Sequence, residues 1–338
     1  MNAAAWPRAD RASARLLLLD RSSGKLSNRC ASDLPGILRR GDLLVVNDAA
    51  TLPASLQGEA EGLGPIELRL ASEDAGTWRA VLFSAGNWRV PTERRPAPAA
   101  LGVGTRLKFD GLTATVTTVL PQSPRLLSVR FDQTGAAFWA ALYRAGRPVQ
   151  YAYLSGPLRL WHVQNGYAAR PWAMEAPSAG FVLTGRLIAA LRSVGVQLAA
   201  LTHAAGLSAT GDAALDRALP LDERFEIPAA CVEAIARAKA GGARVIAVGT
   251  SVVRALEGRA LERGGQLLAG AGQTALRLGP GFVPQVVDGL LSGIHDPAAS
   301  HHALLQAFVP RDWLDRAHHE AEACGYLEHE FGDVCLIA

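Results

Sequence analysis

Residues 243–257 read A-R-V-I-A-V-G-T-S-V-V-R-A-L-E, and this stretch indicates the fold class. Its apolar run, residues 245–248, is typical of a strand that is buried on both faces of a parallel sheet. Gly249 then permits a tight turn, and Thr250 or Ser251 caps a helix whose apolar side follows at once. A strand that runs through glycine into a helix start predicts an α/β domain.

The same turn predicts a ligand site. Backbone N–H groups in the first turn of a helix have no partner within the helix, so they attract an anion such as a ligand carboxylate. Arg254 adds a fixed positive charge close to this point. The alternative interpretation is an ordinary strand-to-helix turn, in which Arg254 is paired with a solvent-side carboxylate such as Glu257.

The composition indicates a globular protein. A chain of 338 residues, 49% of them hydrophobic, can bury a large core and is not of the disordered class. The net charge of +3 neither requires nor excludes nucleic acid as a partner. The four cysteines form no C-x-x-C pair, and no run reaches the roughly 18 apolar residues that a membrane helix needs. We therefore expect a cytoplasmic protein without a membrane segment.

The texture of the sequence changes between residues 58 and 132. Short alternating segments separated by Gly, Pro and Asp predict strands without helices, at residues 66–70, 78–83, 106–109, 112–119 and 126–131. Such a series is typical of a small antiparallel barrel or sandwich. We predict a discontinuous α/β domain, residues 1–57 and 136–338, into which a small antiparallel β-barrel domain, residues 58–135, is inserted.

One connection within this region is both basic and aromatic. Residues 86–98 carry Trp88 together with Arg89, Arg94 and Arg95. A loop of this composition either contacts RNA or is simply an exposed loop, and the sequence leaves both interpretations open.

Seven segments carry a family resemblance over essentially the whole chain: R-L-L-L-L-D-R (15–21), G-D-L-L-V-V-N-D (41–48), E-A-P-S-A-G (175–180), R-V-I-A-V-G-T-S-V-V-R-A-L-E (244–257), P-G-F-V-P-Q-V-V-D (280–288), H-D-P (295–297) and G-D-V-C-L-I (332–337). In this order and spacing they resemble the S-adenosylmethionine:tRNA ribosyltransferase-isomerase family of queuosine biosynthesis. The resemblance implies an α/β domain with an inserted β-barrel. It also implies S-adenosylmethionine as the ribosyl donor, and a reaction that requires no metal.

The resemblance implies a reaction between S-adenosylmethionine and a base in tRNA. The ribosyl part is transferred and isomerised onto the aminomethyl group of a 7-deazaguanine at the wobble position. Adenine and methionine leave, and the product carries an epoxycyclopentane.

The matching segments also imply which residues form the site. The expected substrate-binding residues are Asn47, Asp48, Pro177, Ser178, Ala179, Gly180, Gly249, Thr250, Ser251 and Arg254. We expect His295 to be the base that removes a proton from the carbon beside the sulfonium, with Asp288 orienting its ring. The alternative for His295 is a structural histidine that is hydrogen-bonded to backbone.

Several polar positions depart from the family pattern. Ala50 stands where the family has Arg, and Val182 stands where it has His. His203 comes one place early, which in a strand turns its side chain to the opposite face.

The departures leave three functions open. These are the tRNA reaction, a related reaction of S-adenosylmethionine with a small-molecule amine, and non-catalytic nucleoside binding. The sequence does not indicate an oligomeric state.

Overall fold

Two β structures organise the molecule. Within the described part of a computed structural model, residues 1–294 and 300–338, the chain forms a nine-stranded mixed sheet flanked by helices and a closed six-stranded barrel. The predicted fold class, an α/β domain with a small antiparallel β-barrel, is therefore confirmed. The exact domain boundaries, residues 57/58 and 135/136, stay a prediction.

The elements follow one another in sequence order. The strands of the described chain are β1 (Asn2–Ala3), β2 (Arg15–Leu19), β3 (Leu26–Cys30), β4 (Leu43–Asn47), β5 (Ala49–Thr51), β6 (Ser55–Ala60), β7 (Gly64–Asp74), β8 (Thr77–Ser84), β9 (Arg106–Phe109), β10 (Leu112–Val119), β11 (Leu126–Phe131), β12 (Arg170–Ala173), β13 (Gln197–His203), β14 (Glu223–Ile227), β15 (Val245–Val248), β16 (Gly270–Thr274), β17 (Gly289–Gly293), β18 (Leu327–Glu328) and β19 (Val334–Ile337). The helices are α1 (Leu34–Ile37), α2 (Gly135–Ala145), α3 (Gly185–Ser193), α4 (Ala213–Ala218), α5 (Ala229–Ala240), α6 (Thr250–Glu262), α7 (Ser300–Leu305) and α8 (Arg311–Ala323).

The large sheet is buried on both faces because its central strands are continuously apolar. Its strand order is β16-β14-β13-β4-β15-β17-β19-β2-β3. Alternate residues of β4 enter opposite layers, as the two-residue period of a strand requires. Leu43 and Val45 pack into the core that includes α5, α6 and α8, while Leu44 and Val46 pack with α1 and α3.

Strand direction places one edge of this sheet at the centre of the fold. Strands β13, β4, β15 and β17 are mutually parallel, so their carboxyl ends lie together. Strand β19 runs antiparallel to β17 and parallel to β2, which brings the amino ends of β19 and β2 to the same edge. In open α/β sheets, ligands bind at the carboxyl ends of parallel strands. We call this side of the sheet the carboxyl edge.

The barrel closes through the order β10-β11-β8-β7-β6-β9. Because Leu68 of β7 faces the barrel interior, the alternating residues Glu67 and Arg69 lie on the outer face, where they belong to a buried group of charges. Glu67 Oε1 accepts from Arg69 Nε at 2.7 Å, and Glu67 also pairs with Arg95. Arg95 comes from the basic loop of residues 86–98. Its side chain is therefore buried against the outer face of β7, unlike the exposed Arg89 and Arg94.

Candidate functional site

The turn from β15 into α6 passes through Gly249 as predicted, but the prediction that Thr250 or Ser251 caps the helix is wrong, because Gly249 itself occupies the N-cap position. Gly249 has a φ of 94°, which favours glycine, and a Cβ there would meet Ala179 Cβ at 3.5 Å. The Gly249 amide donates to Leu291 O at 2.8 Å, which fixes the turn against β17. Helix α6 begins at Thr250 without a side-chain cap. The amides of its first turn therefore remain suited to solvent or a ligand.

Asn47 connects three elements at the carboxyl edge. Its Nδ2 atom donates to His203 O at 2.9 Å, and its Oδ1 atom accepts from the His203 amide at 2.9 Å. The same Nδ2 lies 3.4 Å from Ser251 Oγ in α6, and Oδ1 also accepts from the Ala49 amide. Because its amide group is fully engaged and only 1% exposed, Asn47 positions the ends of β4 and β13.

Arg254 is engaged by other residues of the protein. Its guanidinium lies 2.5 Å from Glu223 Oε2 in a buried ion pair, and its Nε donates to Leu276 O at 3.1 Å. Arg254 therefore pairs with a carboxylate, but that partner is the buried Glu223 and not a solvent-side group such as Glu257. Glu257 instead accepts the amides of residues 285–287.

His203 completes this group of side chains. The ring is fully buried, with Nε2 3.5 Å from Glu223 Oε2, and neither ring nitrogen has a hydrogen-bond partner among the described residues. Burial and the adjacent Arg254 guanidinium hold the pKa of His203 well below its usual range, so the ring is neutral at pH 7. Asn47, His203, Glu223, Ser251 and Arg254 are called the polar cluster below.

The P-S-A-G segment lies beside this cluster. Ser178–Gly180 forms a single 3-10 turn, and Asn165 Nδ2 donates to Pro177 O at 3.0 Å. A Cβ on Gly180 would lie 1.9 Å from the Tyr167 hydroxyl, so only glycine fits. Asp48 accepts from Thr202 Oγ1 at 2.6 Å. The expected residues of these segments therefore do come together around the ends of β4, β13 and β15.

A cleft opens on the other side of Ala179. It contains about 400 Å³ of empty space, including its open mouth, and its lining includes Arg8, Arg11, Ser178, Ala179, Phe181, Val182, Gly293, Glu330, Phe331 and Asp333. Arg8 pairs with Asp333 at 2.6 Å, and Asp333 accepts two backbone amides as well. Ala179 lies in the cleft wall and against Gly249. The start of α6 is therefore adjacent to the cleft.

Only one of the two predicted catalytic residues, Asp288, lies within the described structure. Asp288 Oδ2 accepts from the Val245 amide at 2.8 Å, at the amino ends of β15 and β17. This position is on the side of the sheet opposite the carboxyl edge, so Asp288 connects two strands there. His295 lies outside the described residues, and its role stays a prediction.

Sequence reasoning missed a second buried polar group. Tyr151 donates to Glu175, which also accepts from the Ser208 amide at 3.0 Å, and Arg69 of the barrel lies 5.5 Å from the Tyr151 ring. Burial raises the pKa of Glu175. Glu175 belongs to a segment that matches the family, which was the available signal. Tyr151 and Ser208 carry no local signal because only the tertiary fold places them near Glu175.

Across residues 1–294 and 300–338, no group of three or more His, Cys, Asp and Glu side chains is arranged to hold a metal ion. No helix in the same residues is long and apolar enough to cross a bilayer.

The fold and the cleft define a class of protein: an α/β protein with a β-barrel, whose candidate ligand site lies at the carboxyl edge of the large sheet. The chain belongs to the queuosine biosynthesis protein family, whose model matches residues 1–337. The predicted family is thereby confirmed.

Individual relatives agree with this assignment. The S-adenosylmethionine:tRNA ribosyltransferase-isomerase of Gloeobacter violaceus is 35% identical, over 98% of this chain and 91% of that protein. The enzyme of the same name from Thermus thermophilus is 34% identical, over 96% of this chain and 92% of its own length. A crystal structure of S-adenosylmethionine tRNA ribosyltransferase from Thermotoga maritima superposes with a TM-score of 0.55 at 24% identity. The match covers 99% of this chain and 96% of the other, and it supports the fold.

Proposed function

We propose that this protein is an S-adenosylmethionine-dependent ribosyl transferase-isomerase whose acceptor is an aminomethyl-7-deazaguanine base in tRNA. The observation that carries the proposal is the convergence of the family-matched segments at the carboxyl edge. Asn47, the Ser178–Gly180 turn and the start of α6 meet there beside an open cleft. Homology over the full chain to enzymes named for this activity supports the same conclusion.

The donor binds beside Gly249, Thr250 and the Ser178–Gly180 turn in this proposal. Arg254 and Asn47 act indirectly, because their polar atoms are engaged by Glu223 and His203. The chemistry begins when a base takes the proton from the carbon next to the sulfonium, which the positive sulfur acidifies. His295 remains the proposed base. Asp288 is not included, because it serves the opposite side of the sheet.

The side chain at position 182 favours a second class of acceptor molecule. Val182 stands where the family has His; it is 3% exposed and lines the cleft. An apolar side chain at this position cannot form a hydrogen bond to a polar acceptor. A small-molecule amine is therefore the second candidate acceptor. Either acceptor uses S-adenosylmethionine as donor, without a metal in the scheme.

Release of adenine tests the proposal. The protein is incubated with S-adenosylmethionine and tRNA that carries the aminomethyl base, and adenine is measured by chromatography. We expect adenine to appear only when that tRNA is present. Release that occurs with small amines but never with the tRNA would select the second candidate. Binding of S-adenosylmethionine without any release would leave a non-catalytic nucleoside-binding protein.

The His295→Ala variant tests the base. We expect adenine release to be abolished, while donor binding and the melting temperature stay near those of the parent. His319→Ala is the matched control, because His319 is exposed on α8 and distant in sequence from every matched site segment. Full activity of the His295 variant would show that the base lies elsewhere.

A further inference from the structure

Two opposite charges in the cleft have no oppositely charged partner within the described chain. Arg11 makes hydrogen bonds to the carbonyl oxygens of Trp161, His162 and Gln164, and its guanidinium lies over the Phe181 ring at 4.5 Å. None of the ion pairs formed by the described residues includes Arg11. Arg8, the neighbouring cation, is already paired with Asp333.

Glu330 is the acidic counterpart. It lines the same cleft, and its Oε2 atom is buried without a hydrogen-bond partner among the described residues. Glu330 lies between β18 and β19, in the segment that leads to the carboxyl edge. A buried carboxyl oxygen without a partner is costly in a folded protein, and such groups are often found where a ligand binds.

The surface between these two charges is apolar. Phe181 and Phe331 stack with centroids 5.6 Å apart, and Ala14, Val182 and Val334 complete the wall. A ligand that matches this pattern carries an anion, a cation and a short apolar chain. An α-amino acid with an aliphatic side chain has all three features.

We propose that the cleft binds the methionyl end of S-adenosylmethionine, with Glu330 accepting from its α-ammonium group and Arg11 facing its α-carboxylate. This inference rests on the proposed function, because it takes the donor from there. Gly249 lies against Ala179 in the cleft wall, so the first turn of α6 adjoins the same carboxylate. Arg254 has no part in this contact, because Glu223 already pairs with it.

The protonation of Glu330 supports the assignment. Burial raises the pKa of Glu330 to about 7, so this carboxyl group is only partly ionised at neutral pH. An arriving ammonium stabilises the carboxylate and replaces the proton. The other titratable groups that line the cleft are Arg8, Arg11, His329 and Asp333.

Three ligands separate the methionyl end from the nucleoside end. Calorimetric titrations use S-adenosylmethionine, S-adenosylhomocysteine and 5′-methylthioadenosine, of which the last lacks the amino acid. We expect Glu330→Gln to weaken the first two by about ten- to a hundredfold, as loss of a charge-assisted hydrogen bond does. Binding of 5′-methylthioadenosine should be unchanged. Arg11→Gln should give the same pattern, which provides a second variant if the first fails to fold.

Glu328→Gln is the matched control. It removes the same charge two residues earlier, from a side chain that pairs with His329 and does not line the cleft. We expect this variant to bind all three ligands like the parent protein.

The pH dependence of the affinity for S-adenosylmethionine provides an independent test. Affinity of the parent for S-adenosylmethionine should rise roughly fivefold between about pH 6 and pH 7, because Glu330 must lose its proton. Glu330→Gln should remove this dependence; a dependence that persists would show that another group is its source and would overturn the assignment.

The outcomes distinguish this inference from the proposed function. Equal loss of 5′-methylthioadenosine binding in Glu330→Gln would place Glu330 at the nucleoside end and overturn the inference. Unchanged binding of all three ligands would also overturn it, while the proposed function would stand. A parent protein that binds none of the three would refute both.

Discussion

The polar cluster and the cleft lie on either side of Ala179, and they differ in whether their charged side chains have oppositely charged partners. In the polar cluster the charges of Arg254 and Glu223 form an ion pair, and the Gly206 amide donates to the second oxygen of Glu223 at 2.6 Å. In the cleft Arg11 donates to carbonyl oxygens, and Glu330 has a buried oxygen without a hydrogen-bond partner among the described residues. Both regions contain buried polar atoms without hydrogen bonds, but only in the polar cluster do the opposite charges pair with each other.

This difference indicates which charges hold the structure and which await a ligand. Removing one member of a satisfied buried pair leaves the other uncompensated, so the protein loses stability. Removing a buried charge that has no partner relieves a penalty, so the protein gains stability. The comparison therefore predicts opposite signs for two chemically identical substitutions.

The largest effect is expected for Glu223→Gln. This change leaves the Arg254 guanidinium buried without its carboxylate, and we expect a loss of about 3–5 kcal/mol in the free energy of unfolding. Denaturant unfolding at about pH 7 measures it. Glu226→Gln is the control on the same strand, because its pair with Arg170 is 35–43% exposed. We expect the control to lose less than about 1 kcal/mol in the free energy of unfolding. Equal losses in the two variants would show that the buried pair is no more important for stability than the exposed pair.

The second prediction is a gain of stability in Glu330→Gln. Because its folded-state pKa of about 7 is raised above the ordinary 4.5, Glu330 stabilises the folded state below the lower value, and that contribution is lost as the pH rises through 7. At about pH 8.5 the variant should therefore exceed the parent by up to about 3 kcal/mol in free energy of unfolding, with no gain near pH 4. A variant that is less stable at both pH values would show that the Glu330 carboxylate has a partner.

The smallest effect concerns His203 in the polar cluster. Its pKa is depressed in the folded state, so only the unfolded chain takes up a proton as the pH falls below about 6.5. The parent should lose up to about 1.4 kcal/mol of stability for each pH unit from this group, and His203→Gln should lack that portion of the slope. His319→Gln, at an exposed position, is the control. An unchanged slope in His203→Gln would mean that His203 is protonated in the folded protein.

Much of the fold could be predicted because its signals are local. The strands Arg106–Phe109, Leu112–Val119 and Leu126–Phe131 have the predicted bounds, since alternation and flanking Gly or Asp are read directly from the sequence. Strands β14 and β16 were not predicted. Their pairing joins residues distant in sequence, and β16 is rich in glycine.

The candidate site was predictable only where a segment matches the family. Gly249, Ser178 and Asn47 come together near the carboxyl edge, and their binding roles stay a prediction. The roles of polar residues were harder to predict, because burial and partners decide them. Arg254 had two interpretations from sequence, and neither included its buried partner Glu223. Glu330 carries no sequence signal, since its importance depends on a cleft formed by four separate segments.

The contacts between the barrel and the large sheet have a mechanical consequence. Arg69 of the barrel lies over the ring of Tyr151. The Tyr151 hydroxyl donates a hydrogen bond to Glu175, which directly precedes the segment that contains the P-S-A-G turn. A second contact joins Glu73 of the barrel to Arg224 of β14 at 2.5 Å. Two anchors at separate points oppose both rotation and translation of one part against the other. A molecule that touches the barrel and the carboxyl edge together must therefore span a distance that these two contacts help to fix.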